Sequence, residues 1–188
     1  MAAAGNPPIY TKTGDDGSTG LLFGGRVPKA DPAVEVCGTL DEAVAALGLA
    51  RASLQDDGLQ TIVLDLQRDL FVAAAEVAAN PRARNRLIAG RSLVTTQMTS
   101  ALEQTIDQLA AEHPLRPAFA LPGATPGSAA LDLARTFLRR AERRLVAARE
   151  AGMTLSDVLI AYVNRSSELL YVLARRAARG LDEPLSHE

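Results

Sequence analysis

A regular spacing of large and small aliphatic residues marks the stretch from 128 to 150. Apolar residues recur there at alternating intervals of three and four: Leu131, Ala134, Leu138, Ala141, Leu145 and Ala148. This spacing is typical of one buried helical face with a coiled-coil-like seam. The chain is 47% hydrophobic but has only four Phe, three Tyr and no Trp, so its core must consist of aliphatic side chains that favour helix. The pattern predicts an all-α helical bundle and argues against a β-sandwich or barrel.

Five segments carry helical periodicity or helix boundary signals. We predict helices over about residues 32–54, 59–79, 95–112, 128–150 and 154–180. The first begins after Asp31-Pro32, an N-cap residue followed by proline, and contains a second start signal in the capping-box form Thr39-Leu40-Asp41-Glu42. The last begins at the box Thr154-Leu155-Ser156-Asp157 and ends at Gly180. Helices of this length joined by short links form a five-helix bundle.

The chain divides into three parts by composition: a Gly-rich arm (residues 1–30), a helical bundle (31–180) and a short tail (181–188). With 188 residues, it is expected to form a single domain. Residues 82–91, between the second and third helices, contain four Arg and no apolar periodicity. We predict a mobile basic loop there.

Charge and cysteine content limit the partners and the compartment. Twenty basic and 22 acidic residues give a net charge of -2, which provides no overall attraction to nucleic acid or to an anionic membrane. The single Cys37 excludes an intrachain disulfide, and the first ten residues lack the features of a signal or transit peptide. No apolar run approaches the ~18 residues of a membrane span. We therefore expect a soluble, cytoplasmic protein with no nucleic-acid or membrane partner.

The arginines of the fourth helix fall into two groups on a helical wheel. Arg135, Arg139 and Arg143 lie with Glu142 on a flank next to the apolar seam, whereas Arg140 and Arg144 point to the far side. Unpaired guanidinium groups at the edge of a core are costly unless they meet a carboxylate or a phosphate. The alternative interpretation is a solvated charged face with Glu142 bridging neighbouring turns.

The fifth helix is apolar around more than half of its circumference, which predicts burial in the centre of the bundle or against another subunit. A polar line interrupts this surface and consists of Asn164, Glu168, Tyr171 and Arg175. An Asn and a Glu one turn apart on one face can jointly hold a ligand or an arginine of a partner. Homo-oligomerisation is one explanation of the wide apolar surface, and a self-contained bundle is the other.

The arm has the composition of a phosphate cradle. It is rich in Gly and Thr and contains the only two lysines of the chain, Lys12 and Lys29. Small residues let backbone N–H groups approach phosphate oxygens, and an ammonium neutralises their charge. Neither a Walker A sequence nor G-x-G-x-x-G is present, so an ordinary Gly-Asp turn region remains the alternative. Asp15 and Asp16 could help to hold Mg²⁺ near phosphates, or they are simply solvated loop residues.

No nucleophile with a general base is visible in the sequence. His113 and His187 have no Ser or Cys partner at a suggestive spacing, and we expect both on the surface. Cys37 lies in an apolar run and is expected to be a small core residue. Acyl transfer by a catalytic triad is therefore disfavoured, and no Cys/His cluster has the spacing of a metal site.

Three segments together resemble the PduO-type ATP:cob(I)alamin adenosyltransferases, also called corrinoid adenosyltransferases. They are Thr11-Lys12-Thr13-Gly14-Asp15 continuing to Arg26-Val27-Pro28-Lys29, Phe119-Ala120-Leu121-Pro122-Gly123 continuing to Arg139-Arg140-Ala141-Glu142-Arg143-Arg144, and Val163-Asn164-Arg165-Ser166-Ser167-Glu168. Gly38-Thr39-Leu40-Asp41-Glu42 also fits. The resemblance extends in order from about residue 9 to 180, and the combination of arm and Arg-rich helix is specific.

The resemblance implies a homotrimer that holds ATP at each subunit interface and transfers the 5'-deoxyadenosyl group to cob(I)alamin or cob(I)yrinic acid a,c-diamide. The products are the adenosylated corrinoid and triphosphate, and Mg²⁺ accompanies ATP, mainly through its phosphates. A cobalamin reductase and an adenosylcobalamin-dependent enzyme are the implied candidate partners. Reduced cobalamin is itself a strong nucleophile, which agrees with the absence of a triad. The alternatives are a non-catalytic ATP-binding sensor or cobalamin carrier on the same bundle, and an Arg-rich nucleic-acid binder.

The resemblance also assigns roles to single residues. It implies ATP contacts by Thr11, Lys12, Thr13, Gly14, Thr19, Gly20, Lys29, Arg139, Arg140, Ala141, Glu142, Arg143 and Asn164. It further implies catalytic roles for Arg139, Arg143 and Phe119, with Phe119 facing the corrinoid, and a contact between Asp41 and Arg135 across the subunit boundary. Glu168 is a further candidate. The chain departs from the family where Thr19-Gly20 replaces a frequent Ser pair and where Glu168 replaces a common Asp.

Overall fold

The computed structural model describes residues 9–116, 118, 120–181 and 183–184. Its five long helices are α1 (Pro32–Ser53), α2 (Asp57–Val77), α3 (Thr96–Glu112), α4 (Pro126–Glu150) and α5 (Asp157–Ala178). They confirm the five predicted helices to within a few residues at each end. None of the described helices combines the length and apolar character that crossing a membrane would require.

Every long helix begins with a side chain that caps its free backbone N–H groups. The N-cap residues are Asp31, Asp56, Thr95, Thr125 and Ser156. Two predicted start signals are corrected. The Thr39 hydroxyl donates to the Glu35 carbonyl oxygen at 2.9 Å inside α1, so the box around it is no helix start. Thr154 precedes the true cap of α5, which is Ser156.

Two small antiparallel sheets accompany the helices. Strands β1 (Ser18–Gly20) and β2 (Arg26–Pro28) form a hairpin in the arm, with Thr19 opposite Val27. Strands β3 (Ala120–Leu121) and β4 (Glu183–Pro184) pair near the end of the described chain. The protein is therefore mostly helical rather than all-α. The sequence did not predict the strands, because strands of two or three residues are too short to produce an alternating pattern.

The core is aliphatic, as predicted. Within α4, the seam residues Leu131, Ala134, Leu138, Ala141 and Leu145 are fully buried. This helix packs between α1 and α5, and α5 also contacts α2 and α3. The wide apolar surface of α5 is thus covered by neighbouring helices of the same chain, as expected for a central helix.

The predicted basic loop is partly regular, because Pro81–Arg86 forms a 3₁₀ helix capped by Asn80. Arg84 donates to the backbone oxygen of Glu76 at 3.1 Å and to its carboxylate at 3.3 Å. The Glu76 side chain is completely buried and also accepts hydrogen bonds from the Val94 N–H at 2.9 Å and the Ser156 hydroxyl at 2.8 Å. Apolar periodicity could not reveal this segment, because polar contacts to a buried carboxylate hold it.

The bundle has two ends that matter for function. The arm joins the end where α2 finishes, through hydrogen bonds between Leu22 and residues 78 and 80; we call this the arm end. The opposite end, which we call the far end, contains the turn between α1 and α2, the described residues between α3 and α4 (113–116, 118 and 120–125) and the end of α5. There Gly127 faces Leu54, and the Thr125 hydroxyl donates to the Ala177 carbonyl oxygen at 3.4 Å.

Candidate functional site

Arg140 and Arg144 of α4 are held by α1. Arg140 forms an ion pair with Glu42, and Arg144 forms one with Glu35 at 2.6 Å and donates to the buried Thr39 hydroxyl. The expectation that these arginines face the far side of α4 is wrong, because α1 packs along that flank and places a glutamate at each position. Arg140 also lies over the Phe137 ring and does not line the groove described next.

Arg139 and Arg143 lie on the other flank and are exposed. With Glu142 and Val146 they line a shallow groove of about 310 Å³. Arg143 donates to the Arg139 carbonyl oxygen at 3.0 Å, and neither guanidinium forms an ion pair within the described part of the chain. Their predicted place at the edge of the core is therefore corrected to an open surface. The groove thus presents two arginines that form no ion pair with a described carboxylate, and one carboxylate, that of Glu142.

Asn164 of α5 reaches the groove and donates from Nδ2 to Glu142 Oε1 at 2.9 Å. Glu168, one turn further along, pairs instead with Arg165, which also contacts Glu103 of α3 at 3.1 Å. Within the chain the two side chains bind different neighbours, and their joint use for a ligand or a partner's arginine stays a prediction. Ala141 is fully buried in the seam, so its side chain cannot touch a ligand in the groove.

The arm forms a compact turn around Gly14. The Thr11 and Thr13 hydroxyls lie 2.8 Å apart, the Gly17 N–H donates to the Gly14 oxygen at 3.2 Å, and Lys29 Nζ lies 3.5 Å from where a Cβ of Gly14 would be. A Cβ at position 14 would touch the ammonium at an ordinary contact distance and would lie closer, at 3.3 Å, to the Ser18 carbonyl oxygen. Thr11, Lys12 and Thr13 are exposed, so the hydroxyls and both ammonium groups are accessible to an anion.

Other arm residues maintain this turn. Ser18 donates from its backbone N–H and its hydroxyl to Asp16 at 2.9 and 2.7 Å, and these bonds, the hydroxyl first, lower the pKa of Asp16. Arg26 donates to the Ser18 hydroxyl at 2.9 Å and to the Thr13 carbonyl oxygen. Asp16 thus belongs to the internal structure of the arm, whereas the Asp15 carboxylate has no partner within the described residues.

The arm hairpin is anchored to the end of α2. Asn80 donates from Nδ2 to the Gly24 carbonyl oxygen at 2.8 Å, and a Cβ on Gly25 would lie only 2.9 Å from that nitrogen. Gly25 also has a φ of 87°, which a side chain would disfavour. Arg86 of the 3₁₀ helix lies 4.5 Å from the Phe23 ring centroid. These contacts fix the direction in which the arm leaves the bundle.

The arm and the groove do not meet within one chain. The cavity beside the hairpin is lined by Leu21 and Val27 of the arm and, on α4, by Ala148 and its C-terminal neighbours. The groove residues Arg143 and Val146 are five and two residues from Ala148, but at about 100° per residue they lie about 140° and 200° away from it around the helix axis, on the opposite side of α4. The groove is lined only by residues of α4. A single subunit therefore brings together only part of the predicted ATP contacts.

Asp41 and Arg135, the predicted boundary pair, are also separate within the chain. The Asp41 side chain is exposed and has no partner among the described residues. Arg135 is half-buried, and its guanidinium carbon lies 5.5 Å from the Tyr171 ring centroid.

Cys37 packs against the core as predicted, and burial, with a smaller effect of Asp41, raises the pKa of its thiol to about 11.

Two residues of the predicted polar line, Tyr171 and Arg175, belong to a polar cluster at the far end whose α4 member, Asp132, was missed by sequence reasoning. Asp132 and Arg175 form a nearly buried ion pair, and Arg175 lies 5.3 Å from the Tyr171 ring centroid. Tyr171 and Arg175 line a cavity of about 120 Å³ together with Ala118 and Ala120. The helical wheel places Asp132 opposite the seam, so burial by α5 was not foreseeable from its own helix.

The structure describes some of the predicted site residues and not others. Phe119 and His187 lie outside the described residues. His113 is exposed, as expected, and its Nε2 lies 2.7 Å from Arg176 Nη1. Thr19 and Gly20 belong to β1, so their backbone is used in the hairpin. No group of three or more His, Cys, Asp or Glu suited to a metal ion occurs among the described residues.

The fold and the site define a helical-bundle protein that combines a cationic groove with a Gly-rich, lysine-containing arm, two elements suited to a polyphosphate. The chain belongs to the cobalamin adenosyltransferase family, whose model matches residues 9–177. The resemblance inferred from the motifs is thereby confirmed.

Several named relatives are similar over most of the chain. The corrinoid adenosyltransferase PduO of Salmonella typhimurium is 42% identical over 171 residues, which cover 89% of this chain and 48% of that protein. The chain thus spans about half the length of this relative. The corrinoid adenosyltransferase of Mycobacterium tuberculosis is 42% identical over 175 residues, and one of Citrobacter freundii is 40% identical over 168. For these two, the match covers 88% and 93% of the relative.

Solved structures have the same fold. One is a variant PduO-type ATP:corrinoid adenosyltransferase from Lactobacillus reuteri complexed with cobalamin and ATP, with a TM-score of 0.84 and 28% identity. The alignment covers 96% of this chain and 97% of that one. A second variant of the L. reuteri enzyme, complexed with ATP, has a TM-score of 0.83, also at 28% identity, and the alignment covers 95% of this chain and all of that one.

Proposed function

We propose that this protein transfers the 5'-deoxyadenosyl group of ATP to cob(I)alamin and forms adenosylcobalamin and triphosphate. The observation that carries the proposal is the open groove on α4, where Arg139 and Arg143 form no ion pair with any described residue and the one carboxylate of the groove, Glu142, accepts a hydrogen bond from Asn164. Family membership and a solved relative complexed with both cobalamin and ATP support the same reaction. Cob(I)yrinic acid a,c-diamide is the second corrinoid that we propose as a substrate.

The residues of the chain bind and orient the substrates, and the corrinoid supplies the nucleophile. In the reaction the Co–C5' bond forms with the electron pair of cob(I)alamin, the C5'–O bond breaks, and triphosphate leaves with that bond's electrons. The protein therefore needs no general base. Its contribution is to align C5' with cobalt and to neutralise charge on the leaving group, which suits Arg139 and Arg143 together with Lys12 and Lys29.

Mg²⁺ is the proposed cofactor and would enter with ATP. Because the described residues contain no cluster of three ligating side chains, phosphate oxygens would supply most of its ligands. Asp15 is the exposed arm carboxylate that remains for this role, since Asp16 is engaged by Ser18. The ion would reduce the repulsion between the triphosphate charges. The chain thus provides an anion site into which a metal-bound nucleotide fits.

We propose that the complete site forms between subunits of a homotrimer. The arm and the groove are separated within one chain, so the arm of one subunit would meet the groove of the next. Asp41 and Arg135 would then pair across the same boundary, which gives each of them the charged partner that the described chain does not provide. Phe119, between the cavity residues Ala118 and Ala120, would face the corrinoid at the far end.

We further propose that the enzyme acts in the cytoplasm. A cobalamin reductase would supply the reduced substrate there, and an adenosylcobalamin-dependent enzyme would accept the product.

The decisive test of the reaction combines the protein with ATP, Mg²⁺ and chemically reduced cobalamin and follows the light-sensitive Co–C product. Product formation that requires both ATP and protein is expected. Nucleotide binding without any product would favour the alternative, a non-catalytic ATP sensor or cobalamin carrier. Strong, salt-dependent binding of DNA or RNA instead would indicate the nucleic-acid binder.

Subunit mixing tests the shared site. Lys29→Ala disables the arm and Arg139→Ala disables the groove, and we expect each variant alone to be nearly inactive. In mixed trimers, about a quarter of the interfaces would join an intact arm to an intact groove, so activity should return on mixing after reversible dissociation. A mixture that stays as inactive as its components would contradict a site shared between subunits.

A further inference from the structure

A nearly buried ion pair joins α4 to α5 at the far end. Arg175 Nη2 donates to Asp132 Oδ2, and the two side chains are only 9% and 8% exposed. The two helices already pack through aliphatic side chains along their length. A buried ion pair contributes little net stability compared with apolar side chains of the same volume. We therefore look for the role of this ion pair in the side chains that it positions.

The ion pair orients an aromatic ring. Arg175 lies 5.3 Å from the Tyr171 ring centroid, and Arg135 lies 5.5 Å from the same ring. Asp132 and Arg135 are three residues apart on α4, and Tyr171 and Arg175 are four apart on α5, so all four side chains form one cluster across the two helices. Each guanidinium is attracted to the ring face, and Asp132 offsets part of their mutual repulsion.

The cluster borders the cavity at the far end. Tyr171 and Arg175 line it from α5, and Ala118 and Ala120 line it from the connection before α4. Residue 119, the proposed corrinoid contact, lies between these two alanines in the chain. Any shift of the Tyr171 ring would therefore change both this cavity and the position of Arg135.

We propose that Asp132 and Arg175 are positioning residues for the corrinoid end of the site. Their ion pair holds the Tyr171 ring, and the ring holds the Arg135 guanidinium ready for the carboxylate of a neighbouring subunit. This inference rests on the proposed function, because it concerns how that site receives its corrinoid. The groove residues that we propose for ATP lie outside the cluster, so their ATP contacts should not change at protein concentrations that keep the trimer intact.

Steady-state kinetics of two variants test the proposal. Asp132→Asn removes one charge of the pair, and Asp132→Asn with Arg175→Gln removes both. We expect both to raise the KM for cob(I)alamin about tenfold while the KM for ATP changes less than about twofold. The double variant should recover the thermal midpoint that the single variant loses. Recovery of both the midpoint and the corrinoid KM would mean a purely structural pair and overturn the proposal.

A matched control exists on the same two helices. Arg149 of α4 and Asp157 of α5 form an exposed ion pair at 2.9 Å at the arm end. Asp157→Asn should leave both KM values unchanged, because this pair contacts neither the ring nor the cavity. A rise in the corrinoid KM of this variant equal to that of Asp132→Asn would overturn the proposal.

A spectroscopic measurement separates this inference from the reaction itself. The chain has only three tyrosines, so NMR of ring-labelled tyrosine, with Tyr171→Phe for assignment, reports on Tyr171 directly. The Tyr171 ring signals should shift in the double variant and not in Asp157→Asn. Unchanged signals would overturn the positioning role even in a fully active enzyme. Absence of the Co–C product with the wild-type protein would instead overturn the proposed function.

Discussion

The two flanks of α4 carry the same residue type in different situations. Arg140 and Arg144 face α1, which supplies Glu42 and Glu35 as partners, whereas Arg139 and Arg143 face a groove without a carboxylate partner in the described chain. The two pairs of arginines are offset from each other by one residue along the helix. The neighbouring helix, rather than the local Arg-rich sequence, therefore separates arginines that hold the bundle together from arginines that are available to a ligand.

The largest effect is expected from Arg139→Ala. Removing a cation that stabilises the leaving triphosphate should lower kcat about 100- to 1000-fold, the range found when one preorganised charge-stabilising group is removed. The side chain is exposed, so the thermal midpoint should not change. The measurement is the rate of Co–C bond formation at saturating ATP, with circular dichroism melting as the control. A near-normal rate would show that the open flank is not the triphosphate site.

The next largest effect distinguishes two adjacent carboxylates of α1. Asp41→Asn should weaken the trimer about tenfold or more, because Arg135 would lose its proposed partner at the boundary. Glu42→Gln is the matched control, since Glu42 is already paired with Arg140 inside the chain. Analytical ultracentrifugation at several protein concentrations measures the difference. Equal oligomeric stability of the two variants would contradict the proposed boundary pair.

Arg144→Ala tests the paired flank. It removes the partly exposed ion pair with Glu35 and the hydrogen bond to the buried Thr39 hydroxyl. We expect a loss of about 1 kcal/mol in the free energy of unfolding. Adenosylation at saturating substrate should be retained. Urea unfolding followed by the activity assay measures both, and a kinetic defect as large as that of Arg139→Ala would remove the distinction between the flanks.

The smallest effect is expected from Arg140→Ala, and this variant sharpens the comparison most. The family resemblance implies that Arg140 contacts ATP, whereas the structure turns it toward Glu42. If its role is to hold α1, the KM for ATP should change less than about threefold, and stability should fall by roughly the amount seen for an exposed pair. A tenfold rise in that KM would show that ATP binding draws Arg140 out of its ion pair.

The bundle could be predicted because the signals that define its helices are local in the sequence. The seam of α4 repeats six times, and the caps Asp31 and Thr95 are short-range signals that the structure repeats. The 3₁₀ helix could not be predicted in the same way. Arg84 is held by the buried carboxylate of Glu76, and no periodicity records a contact of this kind.

The sequence could single out candidate site residues, but not how they are arranged. The arm lysines and Arg139 could be singled out by residue type and motif. A helical wheel places side chains relative to their own axis, so it could not tell that α1 covers Arg140 or that α5 covers Asp132. Sorting the Arg-rich face therefore required the neighbouring helices.

The buried carboxylate of Glu76 also has a consequence for how the chain acquires its fold during synthesis. Its donors leave the ribosome in order: Arg84, then Val94, and finally Ser156, which follows Glu76 by 80 residues. A desolvated carboxylate that lacks one of its donors is costly. The nascent α1–α2 pair is thus kept below its final stability until α5 begins, which couples completion of the N-terminal half to translation of the C-terminal half.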